Sequence, residues 1–220
     1  MTSPTTIADE VEVLHRGLAE QVPDQVLSPL LAEQKMLDAA GVPEAAKAGS
    51  AMPDGDLLDA HGQATTLAAA RTGKPAVVVF YRGAWCPYCN VALRKYQANL
   101  VPELDARGIA LIAVSPQKPD GSLSMAEKND LTFTVLSDPG NQIAGALGIL
   151  TAPTEDARGS MHAIGIDLPA VNSDGTYTLP MVTVAVVDTA GVIRWIDVAP
   201  NHAKPTEVPE IISALDTVLS

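Results

Sequence analysis

The sequence has few cysteines, few aromatic residues and few basic residues. Only two cysteines occur among its 220 residues, and aromatic side chains make up 4%. Lysine and arginine together number 14 against 26 acidic residues, which gives a formal net charge of -12. Because no basic cluster interrupts this acidity, we expect neither nucleic acid nor an anionic membrane to be a partner.

Long apolar runs are absent as well. No run approaches the roughly 20 residues that a membrane helix needs, and the first residues lack a basic segment followed by an apolar one. These absences predict a cytoplasmic protein. The length is sufficient to bury a sizeable core and favours one domain with an extension over two full domains.

The two cysteines that are present, Cys86 and Cys89, form a C-x-x-C. In a reducing compartment this spacing is more often redox-active or metal-binding than structural. A zinc site would need two more ligands, and the histidines are scattered without paired spacing: His15, His61, His162 and His202. We therefore predict a redox-active dithiol, with no metal and no organic cofactor.

The residues around the dithiol predict that it lies between a strand and a helix. Residues 76–81 form a continuous β-branched and aromatic run, which is typical of a strand buried on both faces. Gly83 ends this run, and helical spacing of apolar residues follows from Asn90. Both cysteines would then lie in the first helical turn, where free N–H groups and the helix dipole stabilise a thiolate.

The remaining patterns predict an α/β fold with a central mixed sheet flanked by helices. Two N-terminal helices are expected around a break at Pro23, and residues 1–45 are assigned to an N-terminal helical extension. Further predicted elements are a hairpin at 57–67, a strand at 108–115, a helix at 120–129, a strand at 133–136, a helix at 141–147, paired strands at 182–187 and 192–198, and a helix at 208–219. Residues 151–176 have weak periodicity and are interpreted as an insertion or lid. This order is that of a thioredoxin-like domain over 46–220.

Several spaced motifs resemble one family. They are the stretch FYRGAWCPYCN at 80–90, VSPQ at 114–117, LSDPGN at 136–141 and the segment 188–195. Together they are similar to peroxiredoxin-like proteins of the alkyl hydroperoxide reductase and thiol-specific antioxidant (AhpC/TSA) group, within the thioredoxin-like superfamily. The resemblance covers roughly residues 40 to 220.

Two alignments within this resemblance give the cysteines different roles. Against the peroxiredoxin pattern P-x-x-x-[TS]-x-x-C, Arg82 takes the proline position, Cys86 the threonine position, and Cys89 becomes the peroxidatic cysteine. Against thioredoxin and glutaredoxin, Cys86 is the attacking thiol and Cys89 resolves. We adopt Cys89 as peroxidatic and Cys86 as resolving on the family alignment. Arg82 either stabilises the thiolate or the leaving oxygen as a fixed cation, or is a surface residue at a strand end.

The resemblance implies an antioxidant oxidoreductase. A thiolate would reduce hydrogen peroxide or an organic hydroperoxide, the second cysteine would form a disulfide, and thioredoxin or a similar dithiol protein would restore the pair. Many relatives are homo-oligomers, so a homodimer is a further expectation. Two alternatives stay open: a thiol-disulfide oxidoreductase acting on protein or glutathione disulfides, and a non-catalytic sensor or metal-binding domain.

Overall fold

The computed structural model describes residues 6–219, and a seven-stranded mixed sheet lies at its centre. The helices are α1 (Ile7–Gln21), α2 (Asp24–Ala40), α3 (Leu67–Arg71), α4 (Pro87–Lys95), α5 (Val101–Ala106), α6 (Pro119–Lys128), α7 (Gln142–Ala146), α8 (Glu155–Ala163), α9 (Leu168–Val171) and α10 (Val208–Val218), with a π-helical turn at Tyr96–Leu100 joining α4 to α5. The strands are β1 (Asp56–Asp59), β2 (Ala64–Thr66), β3 (Ala76–Phe80), β4 (Ala110–Ser115), β5 (Thr134–Ser137), β6 (Leu150–Thr151), β7 (Leu179–Pro180), β8 (Val182–Val187) and β9 (Ile193–Ala199).

The main sheet has the strand order β2-β1-β5-β4-β3-β8-β9. Strand β3 pairs in parallel with β4 and β4 in parallel with β5, whereas β3 and β8 are antiparallel. Strands β6 and β7 form a separate two-stranded pair. The mixed sheet flanked by helices confirms the predicted thioredoxin-like fold class.

Strand β3 is buried along its whole length, as its unbroken apolar run predicts. Since side chains alternate across a strand, Val77 and Val79 enter one core cluster, and Val78 and Phe80 enter the other. The first cluster contains apolar residues of α1, α4 and α10, and the second contains residues of α3 and α7. The strand therefore fixes the start of α4 from the centre of the molecule.

Most of the predicted elements are confirmed within a few residues, including the break between the two N-terminal helices. Helix α1 packs against α4 and α2 packs against α8, so the extension is folded onto the domain. Its boundary near residue 45 stays a prediction. No helix in the part of the chain from 6 to 219 is long and apolar enough to cross a membrane.

Residues 151–176, interpreted as an insertion or lid, contain regular structure, and their role as an insertion or lid stays a prediction. This segment contains α8 and α9. The Thr154 side chain caps α8 by accepting a hydrogen bond from the Ala157 N–H at 3.2 Å, and Glu155 and Asp156 occupy the first turn. Only short stretches of apolar residues are buried here, which explains why the helical periodicity is weak in the sequence.

Candidate active site

The loop after β3 has a backbone that only glycine adopts readily. Gly83 has a φ of 148°, and a Cβ at this position would lie 2.9 Å from Gln117 Oε1 and would collide with the Trp85 indole. Cys86 follows as the N-cap of α4, and Pro87 occupies the first helical position, where its missing N–H costs nothing. The strand, the glycine and the proline thus place both cysteines at the N-terminus of α4, as the sequence predicts.

Two amide side chains hold this loop in place. Asn90 donates through Nδ2 to the carbonyl oxygens of Ala84 and Cys86, both at 2.8 Å. Gln117 accepts a hydrogen bond from the Ala84 N–H at 2.9 Å, and Asn129 donates to Asn90 Oδ1 at 2.9 Å. Because all of these groups are buried or half-buried, the loop is fixed by hydrogen bonds that water cannot easily replace.

Both cysteines are buried free thiols, and their acidities are pushed in opposite directions. Burial opposes ionisation of Cys86, but a hydrogen bond from the Cys89 thiol, the charge of Arg82 and the N–H groups of Cys89 and Tyr88 outweigh it and lower the pKa of Cys86 to about 7. Burial raises the pKa of Cys89 well above its usual value, and the bond to Cys86 and the Cys86 charge add to this effect. The first proton therefore leaves from Cys86.

Arg82 is a buried cation with no carboxylate partner within residues 6–219, and it is only 6% exposed. Its guanidinium lies 5.0 Å from the centroid of the Trp85 ring, and its Nε has no hydrogen-bond acceptor. Removing an unpaired charge from water costs free energy, so an anion at Cys86 would offset that cost. The alternative reading of Arg82 as a surface residue at a strand end is wrong.

Tyr88, one of the two residues between the cysteines, connects the dithiol to the N-terminal extension. The Tyr88 hydroxyl lies 3.0 Å from His15 Nε2 of α1, and it accepts a hydrogen bond from Gln34 Nε2 of α2 at 3.0 Å. The His15 and His202 rings meet the Tyr88 ring edge to face, with centroids 5.4 and 5.3 Å away. Sequence reasoning missed these contacts, because no local pattern links residues so far apart in the chain.

His202 lies in the site, although no sequence pattern assigns a role to it. Burial, the charge of Arg82 and nearby His15 lower its pKa well below the usual value, so the ring is neutral near pH 7. It lies in the loop between β9 and α10. A neutral imidazole beside a buried guanidinium adds a polar group without adding a competing charge.

An apolar cavity of about 80 Å³ adjoins the dithiol, and Arg82, Trp85, Cys86 and His202 are among its lining residues. Cys86 lines this cavity and Cys89 does not. No group of three or more histidine, cysteine or acidic side chains in the described chain is placed to hold a metal ion. What the arrangement can do chemically is to present one thiolate, beside one cation, to a small molecule.

The structure brings Cys86, Cys89 and Arg82 together, as the sequence predicts. Two other residues lie elsewhere. Arg194 is on β9 and forms an exposed ion pair with Asp188, at 2.6 Å. Asp138 caps α7 by accepting hydrogen bonds from the N–H groups at its start, at 2.8 and 3.0 Å.

The sequence is similar to known proteins that are named for thiol chemistry. Peroxiredoxin Bcp of Escherichia coli is 33% identical over 103 residues, which are 47% of this chain and 65% of that protein. The thiol-disulfide oxidoreductase ResA of Geobacillus thermodenitrificans is 32% identical over 107 residues, 48% of this chain and 60% of that protein. The chain thus matches less than two thirds of the length of either relative.

Among solved structures, peroxidoxin BcpB of Mycobacterium tuberculosis superposes with a TM-score of 0.60 at 18% identity, over 79% of this chain and 99% of that one, which shows a shared fold. The model of the AhpC/TSA family matches residues 48–196, which is more than half of the sequence and includes both cysteines and Arg82. The chain therefore belongs to the AhpC/TSA family.

Proposed function

We propose that the protein is a thiol peroxidase that reduces hydrogen peroxide or organic hydroperoxides. The observation that carries the proposal is Arg82, a buried cation without a carboxylate partner in the described chain, beside a thiol whose pKa is lowered to about 7. A fixed cation in a water-poor site stabilises both the attacking thiolate and the negative oxygen that leaves. Membership of the AhpC/TSA family and the similarity to a peroxiredoxin support the same reaction.

Within this proposal the attacking thiol is Cys86. Its lowered pKa and its place in the wall of the cavity favour it, whereas the pKa of Cys89 is raised and Cys89 does not line the cavity. The family alignment favours the opposite order, with Cys89 peroxidatic, and that assignment stays a prediction. The two orders differ in which single-cysteine variant can still be oxidised.

The chemistry needs no group beyond the dithiol and an external reductant. The Cys86 thiolate attacks one peroxide oxygen, an S–O bond forms as the O–O bond breaks, and the other oxygen leaves as an alkoxide or hydroxide that takes up a proton. The Cys89 thiol then displaces water from the sulfenic acid to give a disulfide. A dithiol protein such as thioredoxin takes over the disulfide by exchange and becomes oxidised. The proposal includes a cytoplasmic location, where such reductants occur.

Stopped-flow oxidation of the reduced protein tests the function and the order of the cysteines together. We expect reaction with hydrogen peroxide orders of magnitude faster than that of a free thiol, with a rate that rises with pH through about 7 as Cys86 ionises. Cys89→Ser should still form a sulfenic acid at Cys86, trapped by dimedone and located by mass spectrometry, and Cys86→Ser should not react rapidly. Rapid trapping at Cys89 in Cys86→Ser would instead support the family alignment, and a wild-type rate like that of a free thiol would reject the peroxidase.

A thiol-disulfide oxidoreductase is the second candidate. The opposed pKa shifts of the two cysteines are those of a dithiol that attacks disulfides, and the similarity to ResA supports it. Cys86 is 1% and Cys89 is 2% exposed, so a protein disulfide, like the dithiol protein that would recycle the peroxidase, could reach these sulfurs only after the covering segments move. A peroxide is small enough to react from the cavity beside Cys86, which favours peroxide as the first substrate. Reduction of oxidised glutathione or of insulin at a rate exceeding that with peroxide would favour this candidate.

A further inference from the structure

The cavity beside Cys86 has two apolar walls from separate parts of the chain. One wall comes from the N-terminal extension and consists of Leu18, Val22, Leu27 and Leu30. The opposite wall comes from α8 and the residues after it and consists of Met161, Ile164 and Ile166. We call this space the apolar chamber. Leu30 and Trp85 also pack against the small core cluster that contains Met161, so the two walls meet in one packed unit.

The N-terminal wall is a feature of this chain rather than of the matched family region. The AhpC/TSA model covers residues 48–196, and α1 and α2 precede it. Helix α2 is also fixed to the start of α8, the helix that carries Met161, because the buried Glu33 side chain accepts a hydrogen bond from the half-buried Thr154 N–H at 2.9 Å. The extension therefore closes the chamber on the side that the domain alone would leave open.

The chamber offers different surroundings to the two parts of a peroxide. The O–O group needs the Cys86 thiolate and the Arg82 cation, and both line the chamber. Hydrogen peroxide has no apolar group to pack against the seven apolar side chains of the two walls, whereas a carbon group bonded to the peroxide would remove apolar surface from water there. At about 80 Å³ the space suits a compact hydrocarbon group better than a long chain.

We propose that the N-terminal helices determine substrate specificity by forming the wall that binds the hydrocarbon group of a compact organic hydroperoxide. This inference rests on the proposed peroxidase function. Val22 and Leu30 are the specificity-determining residues, since they contact the hydrocarbon rather than the reacting atoms. The S–O bond still forms at Cys86, and the alcohol that leaves carries the hydrocarbon group and the second peroxide oxygen.

The test compares single-turnover oxidation of Cys86 by tert-butyl hydroperoxide and by hydrogen peroxide in the full-length protein. We expect tert-butyl hydroperoxide to react about tenfold faster, because a small apolar group in a matched pocket contributes discrimination of that order. Val22→Phe, which fills the chamber, should lower the ratio of the two rate constants about tenfold. Leu30→Ala, which enlarges it, should shift the preference toward the larger cumene hydroperoxide.

Val13→Phe is the matched control, because Val13 is on α1, is 59% exposed and does not line the chamber, so its ratio should equal that of the wild type. Rapid oxidation by both peroxides with the same ratio in wild type, Val22→Phe and Leu30→Ala would overturn the role of the helices and leave the peroxidase intact. Slow oxidation by both peroxides would overturn the peroxidase, and with it this substrate. Near-ultraviolet circular dichroism of each variant separates a change of specificity from a loss of folding.

Discussion

Helices α10 and α2 both cover the central domain, and they are attached by different forces. On α10 the buried residues are all apolar: Val208, Ile211, Ala214 and Leu215. On α2 two of the three buried residues are polar, Glu33 and Gln34. Apolar burial is non-directional and tolerates small shifts, whereas a buried hydrogen bond requires its partner at a fixed distance.

The polar contacts of α1 and α2 end at several points of the domain. Gln34 reaches Tyr88 of the dithiol loop, Glu33 reaches the start of α8, and Asp38 reaches the segment after β9. At the other end, the Glu207 side chain accepts hydrogen bonds from the first N–H groups of α1, at 3.1 and 2.8 Å. Helix α10 and the buried face of α1, which carries Ile7 and Val11, therefore complete the core, whereas α2 is positioned over the reactive cysteines by specific polar contacts.

The largest effect should come from weakening α10. Ile211 is fully buried in the core cluster shared with α4, and Ile211→Ala should lower the free energy of unfolding by about 2 to 5 kcal/mol, through lost burial and a residual cavity. Equilibrium urea unfolding measures this change. Ile212→Ala, on the same helix at a half-buried position, is the control and should cost clearly less. Equal losses would mean that α10 is held less by its buried face than the structure indicates.

A smaller effect should come from removing the Tyr88 hydroxyl, which contacts both α1 and α2. Tyr88→Phe removes the hydroxyl and leaves the half-buried His15 and buried Gln34 without that partner, which should cost about 1 to 3 kcal/mol. Hydrogen exchange should quicken in α1 and α2 and stay unchanged in α10. The disulfide form should also be reduced faster by dithiothreitol, since the helices cover Cys86. Unchanged exchange in α1 and α2 would show that the apolar chamber, and not Tyr88, holds them.

The same contrast separates what the sequence predicts from what it does not. The strand, Gly83, Pro87 and the helix around the cysteines are each marked by a local pattern, so the dithiol and its setting follow from neighbouring residues. The contacts that cover the dithiol do not follow from local patterns. Gln34, Tyr88 and His202 become neighbours only once the sheet and its covering helices are assembled. Burial of Arg82 also depends on that assembly, which is why sequence alone left its role open.

The start of α8 does carry a local signal in the sequence. Thr154 is followed by Glu155 and Asp156, a capping residue before an acidic first turn, and this pattern marks a helix start even where apolar periodicity is weak. The chamber could not be predicted even with this helix in place. Its two walls are far apart in sequence and meet only through the docking of α2.

The buried histidine provides a test by pH. The folded-state pKa of His202 is depressed, so the ring stays neutral in the folded protein while it becomes protonated in the unfolded chain. The contribution of the neutral ring to the free energy of unfolding is therefore fully present above pH 6.5, the pKa of histidine in the unfolded chain. It is lost as the pH falls from 6.5 toward the folded-state pKa, at up to about 1.4 kcal/mol per pH unit. His202→Gln should lose less stability than the wild type between pH 7.5 and 5.5, as measured by urea unfolding. Glutamine takes up no proton in this range, so no new positive charge appears beside Arg82 and His15. His61→Gln, at an exposed turn, should keep the wild-type slope, and an equal slope in all three proteins would reject the assignment.

The smallest effect should come from an exposed contact of α2. Lys204 Nζ lies 2.8 Å from Asp38 Oδ2, but the lysine side chain is 69% exposed, so water and salt replace most of this attraction. Lys204→Ala should give no measurable change in the urea midpoint and no faster hydrogen exchange in α2, in contrast to Tyr88→Phe. If Lys204→Ala loosened α2 as much as Tyr88→Phe does, the surface ion pair would hold the helix, and that loosening should then also appear in the wild type at high salt. We expect neither, because the contacts that position α2 over Cys86 are the buried ones.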